Sequence, residues 1–167
     1  MDLMSDRSLD LSEILERLPL LNAVCNETLR LFPTVPITIR VAVRDSYLAG
    51  HPIPRGTEVI ICPWAVNRNA EFWGSGAAEF KPERWIDDGK PNNSGGAVSN
   101  YCQMTFLHGP RSCIGQNFAK AELRCLLAAF VASFAWEIDM RLEDVVVAGV
   151  VTIKPRDGLK VKLTKLT

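Results

Sequence analysis

A cysteine flanked by glycines stands directly before the longest amphipathic helix pattern of the chain. The segment reads Phe106-Leu-His-Gly-Pro-Arg-Ser-Cys-Ile-Gly115, and the apolar spacing after it predicts a helix over residues 116–134. Glycine permits tight turns and a close approach of other groups to the backbone. The first turn of a helix offers unpaired N–H groups and a positive dipole end, which stabilise a thiolate. The pattern therefore predicts a tight loop that presents Cys113 at a helix N-terminus.

The residue types around Cys113 leave several uses of its thiol open. Arg111 supplies a cation two residues before it. Gly115 and Ala119 lie four residues apart on one helix face, and such small residues suit a flat partner. The spacing does not select among a nucleophile, a redox thiol and a metal ligand, and for a loop cysteine taken alone a buried structural role is favoured.

Composition narrows the class of protein. The chain has 167 residues, 47% of them hydrophobic, and 19 basic residues balance 19 acidic ones. This profile favours one globular domain and gives no case for nucleic-acid binding. The five cysteines form no C-x-x-C pair, which disfavours zinc-ribbon and thioredoxin-like sites. The longest apolar stretch, residues 125–136, is shorter than the roughly 20 residues of a membrane-spanning helix, so no membrane span is predicted.

Hydrophobic periodicity predicts a mainly α fold with small β-sheets, of the α+β class. The predicted elements are helices over 12–17, 20–31 and 116–134, a helical turn over 64–69, and two or three short antiparallel strands within 37–43 and 58–61. Residues 71–85 are predicted to form an ordered coil held by aromatic side chains, and residues 87–100 a mobile surface loop. A turn at 155–158 predicts a hairpin that pairs residues 145–153 with 159–163. The C-terminal half of the 116–134 helix is apolar nearly all round, which predicts that it is buried.

Three motifs resemble those of the cytochrome P450 family. The cysteine loop matches F-x-x-G-x-R-x-C-x-G, the heme-binding signature, and Glu27-Thr-Leu-Arg30 matches the family's helical E-x-x-R. Phe80-Lys-Pro-Glu-Arg-Trp85 matches the P-E-R-[FW] coil, and the three occur in the family's order. Leu107 departs from the pattern, since the family more often has a small or polar residue there. The resemblance implies that residues 1–167 are the C-terminal, heme-binding portion of a single P450-like domain.

The resemblance also implies a role for each matched residue. Cys113 is expected to be the axial thiolate ligand of the iron of heme b, shielded by Phe106. Arg111 and Arg40 are expected to pair with heme propionates, because a guanidinium can bind a carboxylate with two parallel bonds. The remaining heme-binding positions are Gly109, Gly115 and Ala119. A further set, Glu27, Arg30 and Arg84, is expected to form a buried charge cluster that holds the coil to the helix.

The implied function is a heme-thiolate monooxygenase. Such an enzyme inserts one oxygen atom of O2 into a small organic or lipophilic substrate, with electrons from NADPH through a reductase partner. The family's distal acid-threonine motif, [AG]-G-x-[DE]-T, is absent from the sequence, so no catalytic residue is assigned. The chain is expected to begin just before the E-x-x-R helix. Full-length eukaryotic relatives are typically anchored in the endoplasmic reticulum membrane, facing the cytosol, and the location of this chain stays unassigned.

Two other functions compete with this one. The chain could be a truncated, non-catalytic fragment that binds heme weakly or not at all. It could also be a thiol enzyme with His108 as the base for Cys113, although no orienting group or oxyanion site is identifiable. Lys120 and Arg124 belong either to a basic face that docks an electron donor or to an ordinary solvated helix face.

Overall fold

The computed structural model describes residues 11–166, which form helices and short antiparallel strand pairs. The helices are α1 (Leu11–Glu16), α2 (Pro19–Leu31), α3 (Pro63–Val66), α4 (Ala70–Trp73) and α5 (Gln116–Ser133). The strands are β1 (Thr38–Val41), β2 (Ser46–Leu48), β3 (His51–Ile53), β4 (Glu58–Ile61), β5 (Ile86–Asp87), β6 (Lys90–Pro91), β7 (Phe134–Ile138), β8 (Val147–Ala148), β9 (Lys154–Pro155) and β10 (Val161–Lys165). The predicted mixed α and β class is confirmed.

Helix α2 carries the E-x-x-R motif and begins one residue before its predicted start. Pro19 occupies the first turn, where its missing N–H costs nothing because that donor would have no partner in the helix. The helix ends at Leu31, and the Phe32 N–H donates to the Thr28 carbonyl at 2.8 Å. Pro33 then prevents a further turn. The motif residues therefore lie on a well-defined helix of 13 residues.

The region after α2 contains two strand pairs. Strand β1 pairs antiparallel with β4, with Thr38 opposite Ile61, and β2 pairs with β3. Ala49 and Gly50 join β2 to β3 with positive φ angles of 48° and 82°. The prediction of short antiparallel strands in this region is confirmed, with four strands in place of the expected two or three.

The segment of residues 71–85, predicted as an ordered coil, contains short regular elements. The Asn69 carboxamide oxygen accepts the Glu71 N–H and begins α4, and Gly74, with a φ of 77°, ends it. A 3₁₀ turn spans Pro82–Trp85. Gly74 therefore terminates a short helix at the start of this segment.

Part of the predicted surface loop is also ordered by hydrogen bonds. Strands β5 and β6 form a small hairpin, and the Asn92 side-chain oxygen accepts the N–H groups of Ser94 and Gly95. Gly95 lies against the Trp85 ring, where an added Cβ would come within 2.8 Å of the indole. The composition of residues 87–100 predicts a polar loop. It does not predict the turn formed by Asn92 or the contact of Gly95 with Trp85, which depends on tertiary structure.

The buried core lies between helix α2, helix α4 with the residues that follow it, and the 3₁₀ turn at Pro82–Trp85. Its members are Ala23, Trp73, Ala77, Trp85 and Cys102. The Trp73 and Trp85 rings are 5.8 Å apart and tilted, a favourable aromatic arrangement. This core places the P-E-R-W segment directly beside the E-x-x-R helix.

The predicted C-terminal hairpin is wrong. Strand β10 pairs with β7, with Val161 opposite Ile138 and Leu163 opposite Trp136, while β8 pairs with β9. Helix α5 ends at Ser133, and Phe134 already belongs to β7. The alternating apolar residues of 134–138 provide a second set of partners for residues 161–165, and local periodicity cannot choose between two such sets.

Helix α5 is less buried than its apolar stripe predicted. Arg124 is the buried residue of this helix, whereas the apolar side chains of Phe118, Leu126 and Val131 are exposed. Within the described range 11–166, α5 packs on α1, α2 and β7. The expected burial of its C-terminal half is therefore wrong for the structure as described.

Candidate heme-thiolate site

Glu27, Arg30 and Arg84 lie together in a buried cluster. Arg30 Nε donates to Glu27 Oε2 at 2.8 Å and Arg30 Nη2 to Oε1 at 2.9 Å, a two-bond pair. Arg84 Nε donates to Oε1 at 3.0 Å from the 3₁₀ turn. The Trp85 indole N–H and the Lys81 backbone N–H complete the set of donors, at 3.0 and 2.8 Å. The carboxylate therefore accepts five hydrogen bonds while Glu27 is fully buried.

The remaining donors of Arg30 are also occupied. Its Nη1 donates to the backbone carbonyls of Asn67 and Ala77, and its Nη2 to that of Glu79 at 3.0 Å. Its guanidinium carbon lies 4.9 Å from the centre of the Trp73 ring. One side chain of α2 thus holds three separate points of the segment between residues 67 and 79.

Hydrogen bonding outweighs burial at Glu27. Burial disfavours the charged form and is the largest single influence on this group, but the donors from Arg30, Lys81 and Trp85 together lower the pKa of Glu27. The carboxylate is therefore charged at neutral pH. A charged, fully bonded Glu27 is what the ion pairs with Arg30 and Arg84 require.

The cysteine loop turns tightly before α5. Gly109 has a φ of 74°, a conformation that favours glycine, and it begins the 3₁₀ turn Gly109–Arg111. The Cys113 N–H then donates to the Phe106 carbonyl at 2.8 Å, which closes the loop. Cys113 is exposed, and a Cβ on Gly115 would stand 3.9 Å from its sulfur. The loop therefore presents a free thiol beside a backbone with no side chain at Gly115.

Cys113 lines a mostly apolar cavity of about 280 Å³. Phe106, Arg111 and Ala119 share this cavity with it, and Leu29, Val35 and Pro63 contribute apolar walls from α2 and the segments after it. An accessible thiol, one guanidinium and apolar walls suit a flat apolar group that bears a carboxylate and an iron atom. The donor set around this cavity therefore fits heme.

Three predicted heme-binding residues, Arg40, Gly109 and Gly115, lie outside the lining of this cavity. The Arg40 guanidinium donates to Thr38 Oγ1 and to the Ile39 carbonyl. Of these three residues, Thr38 lines the cavity. Gly109 and Gly115 shape the loop and are not part of the lining. The structure thus brings Cys113, Arg111, Phe106 and Ala119 to one cavity and leaves Arg40 one contact away.

The other four cysteines differ from Cys113. Cys25 and Cys102 are buried, and Cys62 and Cys125 are half-buried. Burial raises the pKa of Cys25 to about 11, against a smaller opposing influence of Arg124. Within residues 11–166, no group of three or more His, Cys, Asp and Glu residues could hold a metal ion. A single thiol in an apolar cavity is a different type of site from such a cluster.

The two basic residues of α5, Lys120 and Arg124, lie one turn apart but have different surroundings. Arg124 is buried, donates to Glu16 Oε1 at 2.6 Å and reaches Asn22 Oδ1 at 3.4 Å, so it joins α5 to α1 and α2. Lys120 lies with its Nζ 5.9 Å from the centre of the Phe106 ring. The assignment of Arg124 to a docking face or a solvated face is therefore wrong, because its charge is used inside the fold.

His108 makes contacts of its own within the loop. Its ring packs against that of Tyr101 at a tilt of 59°, with centroids 4.9 Å apart, and its Nε2 lies 3.2 Å from the Gln103 carbonyl. The imidazole therefore contacts the Tyr101 ring and the Gln103 carbonyl oxygen. They give no support to the thiol-enzyme alternative, which needs the imidazole oriented toward Cys113.

Sequence reasoning missed Asn67, a buried link between the charge cluster and the cysteine loop. Its carbonyl accepts from Arg30, and its side chain bonds to Thr105 and to the Met104 N–H. Thr105 in turn donates to the Leu29 carbonyl. Asn67 lies in no motif, and an asparagine between two short elements gives no signal of burial in a single sequence.

The site and the fold around it agree with the comparisons to known proteins. The sequence profile of the cytochrome P450 family matches residues 3–161. Over 150 residues the chain is 55% identical to cytochrome P450 monooxygenase sphH of Aspergillus fumigatus, covering 90% of this chain and 27% of that protein. It is 53% identical to cytochrome P450 monooxygenase ptmK of Penicillium ochrochloron, over 92% of this chain and 30% of that protein.

A mammalian protein matches at lower sequence identity, over a similar share of this chain. Cytochrome P450 4V2 of Rattus norvegicus is 37% identical over 92% of this chain and 28% of its own length. The fold and the cysteine loop define a protein of the heme-thiolate class. The chain belongs to the cytochrome P450 family, and it spans about 27–30% of the length of these relatives.

Family membership implies heme as the cofactor, in agreement with the cavity beside Cys113. In the portion of the chain that the structure describes, no helix is both long enough and apolar enough to cross a bilayer.

Proposed function

We propose that this chain carries the heme-thiolate site of a cytochrome P450-type monooxygenase, as the C-terminal portion of its domain. The observation that supports this most strongly is the exposed Cys113 thiol in the apolar cavity that also contains Arg111, Phe106 and Ala119. The three family motifs occur in order along the chain, and two of them form the hydrogen-bonded cluster around Glu27.

Five of the predicted heme-binding residues have a defined task in this proposal. Cys113 would supply the sulfur ligand, and its backbone N–H, bonded to the Phe106 carbonyl, holds the loop that carries this sulfur. Arg111 would bind one heme propionate, and Arg40 would bind the other in place of its bonds to Thr38 and Ile39. The small side chain of Ala119 would leave room for the porphyrin beside α5, and Phe106 would limit the access of water to the sulfur.

Heme supplies oxygen activation when it is bound, and its thiolate ligand favours cleavage of the O–O bond. The proposed reaction inserts one oxygen atom of O2 into a small organic or lipophilic substrate. Electrons come from NADPH through a reductase partner. The residues of this chain hold the cofactor, and the residues that contact the substrate are not assigned here.

The test is the spectrum of the full chain after heme reconstitution, reduction and exposure to carbon monoxide. A thiolate-ligated complex has a red-shifted Soret band, and we expect this band in the wild type. Cys113→Ala should remove it. Cys125→Ala, which alters a half-buried cysteine of α5, is the matched control and should retain it.

Two results would overturn the proposal. If the red-shifted band survives in Cys113→Ala, the sulfur ligand lies elsewhere. If the wild-type chain takes up no heme, the heme-free fragment becomes the better description of its function.

A further inference from the structure

Asn67 occupies a fully buried position between helix α2 and the start of the cysteine loop. Its Nδ2 donates to the Arg30 carbonyl and to Thr105 Oγ1, both at 2.9 Å. Its Oδ1 accepts the Met104 N–H at 2.7 Å. Both amide protons and the oxygen are therefore used, and two of the three bonds reach the residues that precede Phe106.

Thr105 carries this connection back to the helix. Its hydroxyl accepts from Asn67 and donates to the Leu29 carbonyl at 2.8 Å. The α2 carbonyls of Leu29 and Arg30 are thus tied to the loop entry by one hydroxyl and one carboxamide. Neither bond belongs to the charge cluster itself, although the Asn67 carbonyl accepts from Arg30 at 2.6 Å.

The loop that follows is strained at its second residue. Leu107 has a φ of 59°, a left-handed conformation that costs free energy for any residue with a Cβ. Such a conformation persists only when the surrounding structure holds it. The Leu107 N–H donates to the Met104 carbonyl at 3.0 Å, so the residue bonded to Asn67 also closes the strained turn.

The strained turn leads directly to the sulfur. The Phe106 carbonyl accepts the Cys113 N–H at 2.8 Å, so the position of Phe106 sets the position of the Cys113 backbone. A shift of Met104 and Thr105 would move Phe106 and break this bond. Hydrogen bonds from α2 through Asn67 to Met104 and Thr105, the backbone from there to Phe106, and the Phe106–Cys113 hydrogen bond therefore form a continuous path.

We propose that Asn67, acting with Thr105, is the positioning residue of the Cys113 thiol in this chain. Asn67 is not itself part of the cavity lining, and it acts through the loop entry, where its partner Thr105 does line the cavity. The inference rests on the proposed heme-thiolate function for its purpose, but the positioning itself can be measured without heme.

The first test is amide hydrogen exchange, by NMR, on the full chain without heme. Thr105→Val removes the hydroxyl and keeps the shape, whereas the matched Thr105→Ser keeps the hydroxyl. We expect Thr105→Val and Asn67→Ala to speed the exchange of the Cys113 amide about ten-fold, and Thr105→Ser to behave like the wild type. The amides of β7 and β10 should exchange at the wild-type rate in all three variants.

Two outcomes would overturn the positioning role. One is an unchanged Cys113 amide in Thr105→Val. The other is equal acceleration at Cys113 and in the β7–β10 pair, because that would report general destabilisation. Should Asn67→Ala not fold, the Thr105 pair still decides the question.

The second test uses the heme-loaded chain and its carbon monoxide complex. We expect Thr105→Val to lose the red-shifted band faster than the wild type, and Thr105→Ser to keep it. A band of equal lifetime in Thr105→Val would contradict positioning of the thiol. If the wild type shows no red-shifted band, the proposed function fails, while the exchange experiment still tests Asn67 and Thr105.

Discussion

Replacement of Glu27 by glutamine should remove much of the stability of this fold. The change keeps the size of the side chain, but it converts one acceptor oxygen into an NH2 group. Oε2 accepts from two donors, Arg30 Nε and Trp85 Nε1, whereas Oε1 accepts from three. Whichever way the new amide turns, at least two donors meet an NH2 group instead of an oxygen.

The expected loss follows from these contacts. A hydrogen bond to a charged group contributes about 1.5–3 kcal/mol, so two lost bonds give about 3–6 kcal/mol. Removing one member of a buried ion pair costs about 3–5 kcal/mol, since the other charge stays buried. Both estimates give a decrease of about 4 kcal/mol in the free energy of unfolding. Domains of ordinary stability have about 5–15 kcal/mol in total.

The assay is chemical denaturation of the full chain, followed by circular dichroism. Glu143→Gln is the matched control, because Glu143 makes the same type of ion pair with Arg141 on the surface, where both side chains are more than 70% exposed. That control should unfold like the wild type. A change of less than about 1 kcal/mol in Glu27→Gln would refute the reasoning, because it is below the net contribution of one charged hydrogen bond.

The remaining predictions use the pKa of Glu27 and the packing of Gly95. The folded state lowers the pKa of Glu27, so its stabilising effect is complete above the unfolded value of about 4.3 and is lost as the pH falls through the lower, folded value. Denaturation at a series of acidic pH values should show this loss in the wild type, and Glu27→Gln should not show it. Gly95→Ala should destabilise the chain by about 2–4 kcal/mol, because it combines a left-handed φ with a Cβ 2.8 Å from Trp85. Gly96→Ala has a similar φ and nothing within 4 Å, so thermal unfolding should show a clearly smaller effect, and equal effects would contradict the proposed contact.

The parts of the site that sequence could predict are those with local spacing. Glu27 and Arg30 lie one turn apart on a predicted helix, and the family motif supplies Arg84 as their partner. Cys113 stands in a loop whose glycines and helix N-terminus are visible in the sequence. For these residues, residue type and spacing describe the local structure well.

The rest of the site depends on tertiary contacts. Asn67 is 37 residues from both Arg30 and Met104, and no local pattern indicates that its side chain lies between them. Arg124 is polar and lies on a helix, and its burial depends on Glu16, which is 108 residues away. The predicted pairing of the C-terminal strands is wrong for the same reason, since two apolar stretches of the sequence are equally suitable partners for residues 161–165.

Ligation of heme iron by the Cys113 sulfur is the central claim, and resonance Raman spectroscopy of the heme-loaded chain tests it most directly. We expect an iron–sulfur stretching band that shifts when the protein is labelled with heavy-sulfur cysteine. The band should be absent from Cys113→Ala and present in Cys125→Ala. An isotope-sensitive band that persists in Cys113→Ala, or heme bound without any such band in the wild type, would contradict the account.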